Sequence, residues 1–415
     1  MKRFLTLPAW FAIASVWFGM HAGGGYASGQ QEVRYFLVFG WTAVLMPFIA
    51  EGIQGIVNFY AWDYSRVTKS YDYRTWVTRF YHPFDKIFAN IMDAVFIIFL
   101  CLPTGAAIAG AASLMVEQFG LNYVASTFLA CGVLFFCTIF GSELVRRASA
   151  GMTIVLLVTL CLVVIYGIGA TSDQSAKIIA ERAVSPEFTW FDAFKMALLY
   201  ASFQAAIGPL ISVAEPLKTR MDVLKTTITG VLINGGSLAL ICWMLLGAYP
   251  EVLSKDIPLP VLHIINKLDA PILKTCYSVI LFFAFISTGV AFVFASVRRF
   301  EQCSLWKVCR PTGLFGRNLQ ARAILISILT MLYALAVSQF GLVAIVSKGY
   351  SYMGWAQLLF VVIPLLVFGA WKCRRAAAGL EGWQKQKNEP SAPGVERNVS
   401  ADKDGVDSSA APAGQ

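Results

Sequence analysis

Three consecutive glycines, Gly23-Gly24-Gly25, interrupt the first apolar stretch of the chain. The residues before them, Phe4 to Phe18, read as a membrane helix. Each glycine in such a helix costs roughly 1 kcal/mol against alanine. The interruption also frees backbone N–H and C=O groups from the helical ladder. Lipid tolerates such groups only where protein buries them or where they line a water-filled cavity. A helix broken at mid-membrane depth is a common way for secondary transporters to build a binding site. The triplet therefore restricts both the fold and the place of function.

The rest of the chain sets the class. Of 415 residues, 57% are hydrophobic and 14% charged, with a mean hydropathy of +0.65. Soluble chains carry about 25% charged residues. Long apolar runs separated by short charged segments mark an all-α, polytopic membrane protein. Lys2-Arg3 ahead of the first run resembles a signal peptide, but a chain of many spans with no large external domain does not need one.

A window near 20 residues gives ten spans. They cover about 5–33 (interrupted), 36–61, 87–115, 122–141, 149–170, 190–214 (interrupted), 223–248, 272–297, 321–340 and 342–371. With the N-terminus inside, 21 Lys and Arg fall in cytoplasmic segments and 7 on the other side. That bias follows the positive-inside rule. It places both termini in the cytoplasm of a cell, a bacterial inner membrane, and turns the net charge of +9 into a topology signal rather than a nucleic-acid footprint. Residues 1–372 form the transport domain, with one repeat over about 5–170 and a second over about 190–371. Residues 373–415, rich in Ala, Gly, Ser, Pro and charge, read as a disordered cytoplasmic tail.

The loops differ in kind. Residues 62–86 are basic and aromatic and read as an interfacial helix. Residues 249–271 form a longer external loop with an amphipathic piece, Val261-Leu262-His263-Ile264-Ile265, suited to pack as a lid. No cysteine lies in an external loop, so no disulfide is expected; Cys303 and Cys309 lack the spacing of a zinc site.

Ten spans divide five and five, and an inverted repeat then requires a second break in the sixth. Gly208-Pro209 supplies one, because proline removes a donor and disfavours the helical region for the residue before it. Tyr200, Ser202, Phe203 and Gln204 sit just ahead, suited to contact a substrate's side chain and amine. Gly105 and Gly110 in the third span permit close helix approach.

The run from Gly23 to Glu32, Gly-Gly-Gly-Tyr-Ala-Ser-Gly-Gln-Gln-Glu, resembles the Gly-x-Gly-Phe-Ala-Ser-Gly-Gln-Glu signature of YkvI-type membrane proteins. These are poorly characterised members of the amino acid–polyamine–organocation (APC) superfamily of permeases. The resemblance covers about residues 1–372. This chain departs from the signature at Gly24, at Tyr26 and by the extra Gln31. The resemblance implies a LeuT-type, five-plus-five inverted repeat with helices 1 and 6 broken. It also implies that Gly23, Gly24 and Gly25 offer N–H groups to a substrate carboxylate, with Tyr26 and Ser28 close by. Free N–H groups and the positive end of a half-helix favour an anion on physical grounds alone.

Sodium-coupled members of that fold hold Na⁺ between helices 1 and 8. The resemblance implies Gly19 and Ala22 on helix 1, and Ala284, Ser287 and Thr288 on helix 8, as ligands. The i, i+3, i+4 spacing puts the last three on one face, and oxygen ligands suit a hard cation. The alternative, that Ser287 and Thr288 bond back to their own helix, stays open. The competing coupling ion is H⁺. His21 lies at the break, and Glu51 and Asp93 are carboxyls inside apolar runs, where ionisable groups default to functional hypotheses.

The function implied is an ion-coupled secondary transporter for an amino acid or related small carboxylate or amine, Na⁺-coupled first and H⁺-coupled as the alternative. A sensor or channel of the same fold is a third reading. The expected partners are a small-molecule substrate, Na⁺ and the lipid bilayer. A zinc-protease His-Glu-x-x-His motif and a nucleophile elbow are absent from the sequence, and only three histidines occur, so no enzyme is expected.

Overall fold

The computed structural model describes residues 8–140, 142–185, 188–205, 207–254, 257–268, 270–300 and 319–384. The first span is in three pieces: α1 (Ala9–His21), α2 (Gly24–Ala27) and α3 (Gln30–Tyr35). The second begins as a 3₁₀ segment (Leu37–Val44) and turns by 78° into α4 (Met46–Thr68). Then come α5 (Tyr73–Phe80), α6 (Asp85–Phe119), α7 (Tyr123–Phe140) and α8 (Ser142–Ala180). The sixth span is α9 (Trp190–Phe203) and α10 (Ile207–Ser212). It is followed by α11 (Arg220–Leu246), α12 (Tyr249–Ser254), α13 (Pro260–Lys267), α14 (Pro271–Phe300) and α15 (Leu319–Ser338). The last helix, α16 (341–377), passes through π turns at Ile345–Gly349 and Leu358–Val362.

Every predicted span has a helical counterpart. Among the described residues, four helices are long and apolar enough to cross a membrane by themselves, and the bent 3₁₀–α4 pair is a fifth. Helix ends follow local chemistry. Thr219 and Asp222 form a reciprocal capping box at the start of α11. Asp72 accepts from the Thr75 amide to start α5. Gly120 stops α6 at φ 65°, a left-handed conformation that glycine adopts without strain.

Large apolar side chains cover the outside of the bundle, and a minority of polar side chains is buried within its apolar core. Ile165, Leu232, Leu329 and Val367 are exposed, as residues facing lipid must be. Glu32, Glu51, Gln54 and Asn234 are buried. Helices that correspond in the two repeats lie against each other, α4 on α11 and α6 on α14. Glycines permit this packing. A Cβ on Gly230 would sit 2.1 Å from the Trp17 ring, and one on Gly110 would sit 2.1 Å from the Phe285 ring.

Four local expectations change. First, residues 62–86 are not a single helix. α4 continues to Thr68, and α5 buries Trp76, Val77 and Phe80. The aromatic residues find protein neighbours: Trp76 stacks on Phe80 at 4.7 Å and its indole donates to the Ala61 carbonyl at 3.2 Å. Second, the break in the sixth span falls at Gln204–Ala205, while Gly208-Pro209 sit inside α10. The first-turn N–H groups of a helix have no intrahelical acceptor, so proline is tolerated there. Third, residues 373–384 are not a disordered tail. Glu381 is buried and pairs with Lys372 at 3.0 Å and Arg375 at 3.3 Å. Residues beyond 384, and Cys303 and Cys309, lie outside the described residues. Fourth, the extra bend at 37–45 was not expected at all.

The lid forms as expected. Val261, Leu262, Ile264 and Ile265 of α13 are buried, and the Val261 amide donates to the Ser28 carbonyl at 3.1 Å.

Gly230→Val pushes Trp17 out of its seat and is expected to destabilise the protein by about 1–3 kcal/mol. Gly236→Ala, with nothing within 4 Å, leaves stability unchanged or slightly raised. Thermal unfolding of the two variants in detergent checks both; equal midpoints would contradict the packing described.

Candidate functional site

The site begins with the backbone. α1 ends at His21, Ala22 is non-helical and Gly23 is extended (φ −82°, ψ −177°). Gly24 and Gly25 already begin α2. The glycine triplet is therefore not three unwound residues. Gly23 carries the break, and its N–H donates to the His21 carbonyl at 2.7 Å. That corrects the expected donor set. The N–H groups left without an intrahelical acceptor belong to the first turn of α2, including Gly24 and Gly25. Gly24 is glycine for a steric reason: a Cβ there would lie 2.2 Å from the Phe285 ring.

The second break frees carbonyls at the end of α9. Neighbouring amides satisfy them: Gln357 Nε2 donates to the Phe203 carbonyl at 3.3 Å, and Gln54 Nε2 to the Gln204 carbonyl at 2.8 Å. On the far side of the break, the Trp62 indole donates to the Leu210 carbonyl at 3.1 Å. The requirement that buried backbone groups find partners is met by side chains from α4 and α16.

Gln54 does more than cap α9. The same amide nitrogen lies 3.0 Å from His21 Nε2 at the first break. One side chain on α4 thus ties both broken helices. Trp17 Nε1 donates to His21 Nε2 at 3.1 Å. An indole N–H is only a donor, so Nε2 must accept and the neutral ring carries its proton on Nδ1. Nδ1 lies 3.5 Å from Glu51 Oε1. Glu51 Oε1, Glu51 Oε2 and His21 Nδ1 are all buried without a hydrogen-bond partner, so the contact is a close approach rather than a hydrogen bond. Two of the three expected proton-coupling candidates, His21 and Glu51, thus lie side by side. Asp93 lies on α6, and its side chain is outside the described residues.

A cavity of about 540 Å³ joins the two breaks, within the usual range for small-molecule sites. Gly23, Gly24, Gly25, Phe203 and Gln204 line it. Four expected substrate residues do not. Tyr26 is buried and its hydroxyl donates to Ser237 at 2.6 Å. Ser28 donates to the Gly25 carbonyl at 2.8 Å, and Ser202 to the Leu198 carbonyl at 2.7 Å. Tyr200 is buried among Tyr35, Phe36 and Phe203, with ring centroids 5.5, 4.8 and 5.0 Å away. These four support the backbone around the breaks rather than face the chamber.

All five expected cation-site residues, Gly19, Ala22, Ala284, Ser287 and Thr288, border the same cavity. Thr288 Oγ1 would be 3.2 Å from a Cβ on Gly23, so its hydroxyl reaches the break. Ser287 Oγ donates to the Ala284 carbonyl at 3.1 Å. This is the local back-bond that was the competing expectation, and it still leaves lone pairs on both oxygens. The donor set is all oxygen and suits a hard cation.

The cavity is one-sided. Its lining on α6 comes from Phe96, Leu100 and Pro103, in the half of the helix nearest the basic loop at 66–86. Ala291 and Ala295 of α14 lie toward the same end, which is here called the basic end. At the opposite, lid end, Tyr35, Phe36, Tyr200, Phe203 and Tyr350 pack ring to ring, and α13 covers the turn at Gly29.

Two residues of the first span escaped the sequence reading. Gln31 lines the cavity, and its Oε1 lies 3.4 Å from Gln204 Nε2, joining the two breaks a second time. Glu32 is wholly buried. Both were read as part of a family signature, where an ionisable group inside an apolar run was itself the signal.

Removing the Gln54 amide orphans the Gln204 carbonyl and leaves His21 held by Trp17 alone. Gln54→Leu is expected to cost roughly 1–3 kcal/mol, read as a lower unfolding midpoint in detergent; a midpoint equal to the native one would refute the bridge.

No known family model matches the chain. It is similar to the uncharacterized membrane protein YkvI of Bacillus subtilis, 23% identical over 378 residues, covering 88% of this chain and 95% of that protein. Its architecture matches MhsT, solved in complex with L-phenylalanine, with a TM-score of 0.55, 15% identity, 91% of this chain and 96% of that one covered. The LeuT-type fold implied by the family resemblance is the fold observed.

Proposed function

We propose that the protein is an alternating-access secondary transporter for an amino acid or a related small carboxylate. The observation that carries this is a single chamber bordered by the Gly23–Gly25 backbone of one broken helix and by Gln204 of the other. Amides at the start of α2 suit a carboxylate, and Phe203, Phe283 and Met353 give the chamber an apolar side for the rest of the molecule. The amino-acid ligand of MhsT, in the same fold, supports that class. By the positive-inside rule the basic end is cytoplasmic, so the chamber faces inward and the lid end is shut outward. Transport rather than catalysis fits a chamber without a nucleophile–base pair.

Na⁺ is the proposed coupling ion, held at Gly19, Ala22, Ala284, Ser287 and Thr288 beside the substrate position. The geometry of His21 favours a second reading, H⁺ coupling. With Nε2 facing two N–H donors, the ring's own proton sits on Nδ1 against the Glu51 carboxyl, and that carboxyl is the member of the pair left to accept another.

Proteoliposomes given a panel of labelled amino acids, with Na⁺ and pH gradients imposed separately, test the reading. Accumulation under at least one gradient is expected; none under either would remove the transporter proposal. Ser287→Ala with Thr288→Ala is expected to abolish Na⁺-driven uptake. If uptake instead follows the pH gradient and ignores Na⁺, the cation site falls, and His21→Gln and Glu51→Gln should each abolish the response. Gly24→Val collides with the Phe285 ring beside the break and is expected to stop transport with membrane insertion intact; undiminished affinity would refute the backbone cradle.

A further inference from the structure

Glu32 takes no part in the chamber described above. It lies in α3, the outer piece of the broken first span, directly after Gln31. Its exposure is 0%, and neither carboxyl oxygen has a hydrogen-bond partner. Four titratable groups face it closely enough to interact through space: Tyr26 of α2, Tyr200 of α9, Cys242 of α11 and Tyr277 of α14. The three hydroxyls donate elsewhere. Tyr26 serves Ser237, Tyr277 serves the Ala27 carbonyl, and Tyr200 points to Gln31 Oε1.

Among the described residues, the other elements against α3 supply no counter-charge either. The 3₁₀ segment Leu37–Val44 carries no ionisable side chain, and Lys348 in the first π turn of α16 is exposed. On α3 itself, Tyr35 donates toward the Val346 carbonyl, and the Arg34 guanidinium reaches the Gln30 amide oxygen at 3.1 Å. Glu51 acts on Tyr26 and Tyr200 from the far side and adds negative charge to the same region when ionised.

An ionised carboxylate in this seat has lost its water and gains at most its own backbone N–H as a donor, a costly state for a buried charge. The neutral acid does not bear that cost. The seat itself depends on the lid end being closed. α3 is six residues long, is joined to α2 through Gly29 at φ 82°, and packs on α11; the lid α13 is tied to Ser28. Were that end to open, α3 would part from α11 and water would reach the carboxyl.

We infer that Glu32 is a proton-binding gate: shutting the outer end of the bundle takes up one proton from external water onto the Glu32 carboxylate, and opening it gives the proton back. This rests on the alternating-access reading above. One O–H bond forms on closing and breaks on opening, and nothing else changes. The shut state therefore holds one proton more than the open state, in which a wet glutamate ionises above about pH 4.3. Rising external pH disfavours closure, by about tenfold in the shut-to-open ratio per pH unit while the buried acid stays protonated. The proton enters and leaves by the same face, so it gates the cycle without driving it. That distinguishes Glu32 from the His21–Glu51 pair.

Infrared spectroscopy of the reconstituted full-length protein reads the proton without any transported solute. At pH 7 the native protein should show the carbonyl stretch of a protonated carboxyl, shifted in D₂O, which Glu32→Gln removes and Glu51→Gln does not. No difference between native and Glu32→Gln spectra in that region would overturn the inference. Uptake gives the second arm. Native uptake should fall as external pH rises from about 6 to 8, and the Glu32→Gln profile should be flat; identical profiles would overturn the gate. If no solute is taken up at all, the transport proposal fails, and the infrared result still decides whether Glu32 holds a proton.

Discussion

The Gln54 side chain on α4 is the interaction on which the interior depends. Two broken helices place unpaired backbone and polar groups deep in an apolar bundle, where each unpaired group is expensive. One amide answers both, donating to the Gln204 carbonyl at one break and lying against His21 Nε2 at the other. Trp17 adds a second donor to that ring nitrogen and is itself seated between Trp62 and Gly230. The breaks therefore hold a fixed relative position, and the chamber between them is a built feature of the fold rather than a packing defect.

Much of this was legible in the sequence, for identifiable reasons. Gly23-Gly24-Gly25 marked the first break because consecutive glycines weaken a helix, although only Gly23 carries it and Gly24 serves packing against Phe285. The lid was readable because Val261, Leu262, Ile264 and Ile265 share one apolar face, and all four are buried. The close approach at Gly110 was readable from its size. What failed was register. Proline at 209 marked the sixth span as special but sits just inside α10, because a helix start tolerates the missing donor. Only tertiary partners locate the true break, and Gln54 and Gln357 are 150 and 154 residues away from the carbonyls they cap.

Side-chain roles were less legible than backbone ones. Tyr26, Ser28 and Ser202 sit next to the breaks in sequence but turn their hydroxyls to neighbouring groups away from the chamber, since a buried hydroxyl takes the nearest partner, and Tyr200 stands behind the chamber-lining Gln31 and Gln204. Gln31 and Glu32 were overlooked because they stood inside a recognised signature. The 62–86 segment carries aromatic and basic residues, which suit both a membrane surface and a protein seat. Trp76 packs on Tyr64 of α4, and the chain after α16 folds back to pair Glu381 with Lys372.

The one-sided chamber leads to a measurement that needs no knowledge of the substrate. Ala291 lines the cavity toward the basic end and is far from the lid. In a cysteine-free background, Ala291→Cys should react with a membrane-impermeant thiol reagent when vesicles present the basic face, and stay protected when they present the lid face. Reaction from the lid face, or from neither face, would contradict a chamber built at the two breaks and open to the basic end.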